Sequence, residues 1–153
     1  MTDLCEITNQ EGTIIALDQE KAYDKIRHDY LWQTLEAMNV PSGLVNTIKS
    51  LYSKAETTII LNGEMSEKFR VIRGVRQGDP LSCLLFNIAI EPMSHILRST
   101  EDLTGLSITT KDTHHKVILV LFADDATVFL SKNDNPATLF RILDKWCTAL
   151  GAN

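Results

Sequence analysis

The stretch Val117-Ile118-Leu119-Val120-Leu121-Phe122-Ala123-Asp124-Asp125-Ala126-Thr127-Val128-Phe129-Leu130 restricts the fold more than any other part of the chain. Two runs rich in β-branched and aromatic residues flank a pair of adjacent carboxylates. Runs of that length and composition form buried strands, and the Ala-Asp-Asp between them fits a tight connection. The stretch therefore predicts an apolar hairpin tipped with two acids. A carboxylate near a core needs a partner or a cation. Solvated turn aspartates are the plain alternative, because Asp is a common turn residue. This stretch alone does not choose between them.

The rest of the chain supplies the frame. Thr13-Ile14-Ile15-Ala16-Leu17-Asp18 reads as a short buried strand ending in an acid, followed by the charged turn Gln19 to Lys25. Asp29 is placed to cap a helix over about 30–38, with Leu31, Leu35 and Met38 at helical spacing. Asn39 to Gly43 breaks that helix, and a second runs from Leu44 to about Lys54. Two strands, Thr57 to Leu61 and Phe69 to Arg73, are expected as a hairpin with Asn62-Gly63 as the turn signal. Arg73-Gly74-Val75-Arg76-Gln77-Gly78-Asp79-Pro80-Leu81-Ser82 has too many glycines and charges for a regular element. Pro80 suits the start of the next helix, about 81–98. A weaker strand falls at Leu106 to Thr109, before Lys111 to His115. Asn135-Pro136 opens a last helix over 138–150, stopped by Gly151. The mixture predicts an α+β fold, a small and mainly antiparallel sheet with helices packed against it.

A chain of 153 residues is one domain or part of one, with 44% hydrophobic and 23% charged residues. The longest apolar run, Val117 to Ala123, is far too short for a membrane helix. Asp3 and Glu6 leave no room for a signal-peptide core. Cys5, Cys83 and Cys147 are odd in number and widely spaced, which predicts neither disulfides nor a zinc site. An intracellular location, nuclear or cytoplasmic, and no membrane partner are expected. The net charge of −5, from 15 basic and 20 acidic residues, argues against a freestanding nucleic-acid-coating module. An active site that meets nucleic acid through bound cations is compatible with it.

Three pieces share one pattern: a strand ending in Asp18, a glycine-rich basic loop opening a helix, and a hairpin tipped by Asp124 and Asp125. Strands ending side by side would bring Asp18 and Asp124 together. Carboxylates converging there would bind Mg²⁺, a cation usually shared with substrate phosphates. Two such ions roughly 4 Å apart clamp both oxygens of an in-line displacement at phosphorus.

The segments Ile15-Ala16-Leu17-Asp18-Gln19-Glu20-Lys21-Ala22-Tyr23-Asp24, Arg73 to Ser82, and Phe122-Ala123-Asp124-Asp125 resemble, in order, palm motifs A, B and C of reverse transcriptases. The motifs occupy about 13–25, 73–90 and 117–130. Phe-Ala-Asp-Asp, with Lys-Ala-Tyr-Asp after the first aspartate, is most similar to non-LTR (LINE-type) retrotransposon polymerases. The resemblance implies a polymerase palm with fingers and thumb largely missing. It also implies RNA-directed DNA polymerase chemistry with Mg²⁺, or Mn²⁺ in its place, on an RNA template, a DNA primer and dNTPs, as part of a larger polyprotein. Asp18 and Asp124 would be the main metal ligands, and Asp125 would sit beside them in a supporting role. Successive strand side chains point to opposite faces, which agrees with that split. The main chain from Gln19 to Tyr23 would face the triphosphate, and Tyr23 matches the aromatic gate against a ribose 2′-hydroxyl. Gln77 and Gly78 would border nucleotide and template, with Arg73 and Arg76 nearby.

Plainer roles stand beside these. Tyr23 would otherwise be a half-buried packing aromatic, Arg70, Arg73 and Arg76 a solvated basic face, and Gln77-Gly78 turn chemistry. Asp24 and Asp79 fit their motifs, but local loop-shaping hydrogen bonds are expected of them. His28, His95, His114 and His115 show no metal-ligand spacing and read as surface residues; Trp32 and Trp146 read as core. Gly74 and Gly78 lack the following Lys-Ser/Thr of a P-loop. Two other functions compete: a truncated, non-catalytic remnant of such a polymerase, and an unrelated Mg²⁺-dependent phosphohydrolase. The second leaves the Arg73–Ser82 loop and Tyr23 without a purpose. Against the resembled family, the chain starts shortly before Asp18 and stops after its last helix, so the expectation is that it does not extend a primer alone.

Overall fold

The computed structural model describes residues 11–109 and 114–151. Asp3, Cys5, Glu6, Lys111 to Thr113 and Asn153, which entered the sequence reading, lie outside the described residues. The first half runs β1 (Gly12–Leu17), α1 (Ala22–Lys25), α2 (His28–Ala37), α3 (Ser42–Ser53), β2 (Glu56–Thr57), β3 (Ile60–Leu61), β4 (Glu64–Met65) and β5 (Phe69–Arg70). Then come α4 (Pro80–Ser99), β6 (Leu106–Thr109), β7 (His114–Val117), β8 (Leu119–Phe122), β9 (Asp125–Ser131) and α5 (Pro136–Leu150). The fold is α+β, and every strand pair is antiparallel. The chain divides into two compact units, Met1–Ala22 with Ile90–Thr148, and Tyr23–Ala89 with Ala149–Asn153.

The first unit is built on the sheet β1-β9-β8. As its central strand, β9 has neighbours on both edges, and Val128, Phe129 and Leu130 are all buried. That position explains why its sequence is a continuous apolar run rather than an alternation. The run before the turn is not one strand. β7 pairs with β6 as far as Leu106↔Val117, and β8 pairs with β9 from Leu119↔Val128. Ile118 lies between them and accepts the Phe129 N–H at 2.8 Å. In α5, Asn135 Oδ1 accepts the Ala137 N–H at 2.9 Å and Pro136 is the first helical residue, so the helix starts two residues before the expected 138. Leu139, Ile142 and Trp146 form its buried stripe.

Asp134 is the one charged residue among the buried side chains described. Its carboxylate accepts the Thr104 N–H at 2.7 Å, the Thr104 hydroxyl at 2.6 Å, the Gly105 N–H at 2.8 Å and the Ser131 N–H at 2.9 Å. Burial pushes the carboxyl upward, but the four donors outweigh it and hold the pKa down at about 2 against an ordinary 3.8. A depressed folded-state pKa contributes stability above the unfolded value and loses it as pH falls through the folded one. The window here is about pH 4 down to about pH 2, and the contribution is about 2 kcal/mol. Asp134→Asn should lower the unfolding midpoint at pH 7 and flatten that acid limb in urea titrations. An unchanged acid limb would mean that the four bonds do not form in solution.

The second unit packs α2 against α3, with Leu31, Leu35, Val45 and Ile48 buried. α2 begins at His28, and Asp29 does not cap it. Asp29 is already engaged: its carboxylate accepts Arg27 Nε at 2.9 Å and pairs with the Arg27 guanidinium. The expected hairpin is present but interrupted. Asn62 (φ 52°) and Gly63 (φ 86°) make the turn between β3 and β4, while β2 pairs with β5 further out. Between the two pairs, the Ser66 hydroxyl takes the Ile59 N–H at 3.0 Å, and a side chain that satisfies a main-chain donor displaces a ladder bond. α4 is long and apolar enough to cross a membrane by length and composition. Leu85, Phe86, Ala89, Ile90, Met93 and Leu97 along it are buried within the fold, as in a core helix.

Candidate active site

The antiparallel register of the first unit decides where its acids lie. Leu17 pairs with Ala126 at the end of the β1-β9 ladder, so Asp18 leaves β1 beside the turn carrying Asp124 and Asp125. That turn is tight: Phe122 pairs with Asp125, leaving Ala123 and Asp124 as its two central residues. Ala123 takes φ 53° and Lys21, three residues after Asp18, takes φ 54°. Left-handed backbone at a non-glycine residue costs roughly 1–2 kcal/mol. Such strain persists only where surrounding structure enforces it, and it clusters at functional sites.

Asp18, Gln19 and Asp124 line one cavity, whose remaining walls are Leu17, Ile90, Met93, Ala126, Leu143, Trp146 and Cys147. Asp125 is not among its lining residues. Asp18 and Asp124 are both exposed, so they bring two hard, solvent-accessible oxygen donors to the edge of a mostly apolar wall. Among the described residues no three His, Cys, Asp or Glu side chains gather into a complete cage. Mg²⁺ does not need one: it is commonly held by one or two carboxylates, water and substrate phosphates. The donor set fits such a cation.

In the second unit the Arg73–Ser82 loop is anchored at its first glycine. Gly74 (φ 82°) donates its N–H to Ile26 O at 2.7 Å, and Val75 donates to Tyr23 O at 2.8 Å. His28 Nε2 meets Gly74 O at 2.9 Å. A Cβ on Gly74 would come within 2.9 Å of Asp24 O. Asp24 thus packs its main chain against the loop, while Ile26 and Tyr23 supply the acceptors. Gly74→Ala should cost about 2 kcal/mol or more, adding a steric clash to the left-handed strain. Gly78, at φ 85° but with open space around it, should cost only the strain when changed to Ala. Thermal unfolding of the two variants separates the terms, and equal losses would refute the anchoring contact.

Beyond that anchor, Arg73, Arg76 and Gln77 are exposed and share a cavity with Asp24, Tyr52 and Val71. Gly78 is exposed and next in chain. Asp79 Oδ1 accepts the Leu81 N–H at 2.9 Å, so it caps α4 with Pro80 as first helical residue. Tyr23 is half-buried, its ring stacked on Phe86 at 4.5 Å and 9°, and its hydroxyl points to Cys83 Sγ at 3.8 Å. His28, expected at the surface, is half-buried between Trp32 and Tyr52, at 5.6 and 5.2 Å between ring centres. Trp32 is half-buried rather than core, whereas Trp146 is buried. The contribution of His28 had no local signal, because its partners Tyr52 and Gly74 are distant in sequence.

Residues 2–153 match the family model described as reverse transcriptase (RNA-dependent DNA polymerase). The chain is 39% identical over 126 residues to the Transposon TX1 uncharacterized 149 kDa protein of Xenopus laevis, covering 80% of this chain and 9% of that protein. It is 35% identical over 116 residues to the retrovirus-related Pol polyprotein from type-2 retrotransposable element R2DM of Drosophila melanogaster, covering 76% of this chain and 10% of that one. The chain therefore spans about a tenth of the length of these curated relatives. Among solved structures, a telomerase from Candida tropicalis in complex with a TWJ fragment of telomeric RNA is similar at a TM-score of 0.61. The match has 16% identity and covers 97% of this chain and 26% of that chain. At that identity the likeness is one of fold.

Proposed function

The chain belongs to the reverse transcriptase (RNA-dependent DNA polymerase) family, in its non-LTR retrotransposon branch, and from that premise we propose that it is the catalytic palm portion of an RNA-directed DNA polymerase. The observation that carries the reading is the cavity shared by Asp18 and Asp124, residues that come from motifs A and C. Asp18 and Asp124 would hold the divalent cation, Mg²⁺ or Mn²⁺, with Asp125 in support. When bound, a pair of such cations stabilises the attacking and leaving oxygens of an in-line displacement at phosphorus.

The chain's own groups do the remaining work. By motif position, the main chain from Gln19 to Tyr23 faces the triphosphate, and the Tyr23 ring excludes a 2′-hydroxyl. The stack on Phe86 supports that role, because a gate must resist being pushed aside. Arg73 and Arg76 offset phosphate charge, and Gln77 and Gly78 border the nucleotide and the template. The substrates are a DNA primer on an RNA template with dNTPs, and the segment works within a larger polyprotein inside the cell. All three motifs are intact, which favours a catalytic segment over a remnant.

The test is RNA-templated primer extension by a Pol polyprotein in which this segment replaces its counterpart. Retained extension on RNA supports the reading. A soluble, folded chimera that binds primer-template but extends nothing would contradict it.

A further inference from the structure

One residue lining the cavity of Asp18 and Asp124 carries a polar atom that the roles above leave unused. Gln19 lines it, and the Gln19 side-chain nitrogen is fully buried without a hydrogen-bond partner among the described residues. Few buried polar atoms in folded proteins lack partners, and leaving one so costs roughly 1–3 kcal/mol. An amide nitrogen is a donor and needs an acceptor. Of the side chains around the cavity, Leu17, Ile90, Ala126 and Leu143 offer none, and the Trp146 indole is itself a donor. Met93 and Cys147 offer only weakly accepting sulfur. The strong acceptors are the carboxylates of Asp18 and Asp124. The buried end of the amide is its nitrogen, the end from which a carboxylate can accept.

We infer that the Gln19 side-chain amide is a positioning residue, a donor held ready for a carboxylate of the Asp18–Asp124 pair when the pair is drawn together on a divalent cation. The inference rests on the proposed role of that pair. It adds that this donor finds a protein acceptor when the pair closes on the ion. Hydrogen bonds to ligating carboxylates fix their orientation, and losing one commonly weakens metal affinity 10- to 100-fold.

An amide that only packs and an amide that positions a carboxylate respond oppositely to Gln19→Met, which keeps volume and removes the donor. For residues 1–153, the unfolding temperature without metal and the affinity for Mn²⁺ are measured for Gln19→Met, Asp18→Asn, Asp124→Asn and the unchanged chain. Gln19→Leu is the second variant should the Met protein fail to fold. The expected result is an unfolding temperature equal to or above that of the unchanged chain, with Mn²⁺ affinity about tenfold weaker or worse. A lowered unfolding temperature, or an unchanged Mn²⁺ affinity, overturns the inference. If the two Asp variants lose Mn²⁺ while Gln19→Met keeps it, only the role of Gln19 fails. If the Asp variants bind Mn²⁺ as before, the reading of the carboxylate pair fails with it.

Discussion

Asp124→Asn, introduced into a Pol polyprotein carrying this segment, is expected to cut RNA-templated primer extension by about three orders of magnitude or more, and Asp18→Asn by a similar factor. Each change removes a full negative charge from a site where cations would stabilise several kcal/mol of transition-state charge, and every 1.36 kcal/mol is tenfold in rate. Both residues line the same cavity, so neither can substitute for the other. Asp125→Asn should cost far less. Asp125 belongs to β9, pairs with Phe122 and does not line that cavity. Single-turnover extension rates with saturating Mg²⁺ make the comparison. If either of the first two variants extends at near the unchanged rate, or if Asp125→Asn is the most damaging of the three, the ligand assignment is wrong.

The second large effect concerns sugar selection. Tyr23→Ala should raise the kcat/KM ratio for ribonucleotides over deoxyribonucleotides about 10- to 100-fold, because it removes a steric clash worth roughly 1–3 kcal/mol. The direction is diagnostic, since deleting an attractive contact would lower both substrates without favouring the ribose. Tyr23 stacks face to face on Phe86, whose own side chain is fully buried. Tyr23→Phe keeps the stack and should keep the discrimination, whereas Tyr23→Ala loses both. An unchanged ratio in an active Tyr23→Ala variant would leave Tyr23 as a packing residue only.

Much of the site was legible because the signals were local. The β-branched run from Ala126 to Leu130 needed only its composition to read as a strand, and β9 is the buried centre of the sheet. Asp18 at the end of a short apolar run was placed by strand pairing, and the β1-β9 register brings it to the turn. Pro80 after Asp79 carried its own start signal for α4. What the sequence hid depends on distant partners. The apolar run through Ile118 looks continuous, yet the chain changes pairing partner there, from β6 to β9. Asp134 sits in Ser-Lys-Asn-Asp-Asn-Pro, where an acid reads as a solvated turn residue; its donors at Thr104 and Gly105 lie 30 and 29 positions away. Asp29 is a local exception: its carboxylate pairs with Arg27 two residues before it and accepts the Tyr30 N–H at 2.9 Å from within the first turn. The Gln19 amide gave no signal because burial of a single side-chain atom is set by tertiary packing.

Asp18 and Asp124 are proposed to hold a divalent cation together. Mn²⁺ titrated into isotopically labelled residues 1–153 tests it directly, because paramagnetic broadening of amide signals maps the ion onto the chain. Broadening is expected to centre on Leu17 to Gln19 and Ala123 to Ala126, to be lost on Asp18→Asn or Asp124→Asn and to be largely kept on Asp125→Asn. Broadening centred elsewhere, or a pattern that survives Asp18→Asn and Asp124→Asn unchanged, would contradict it.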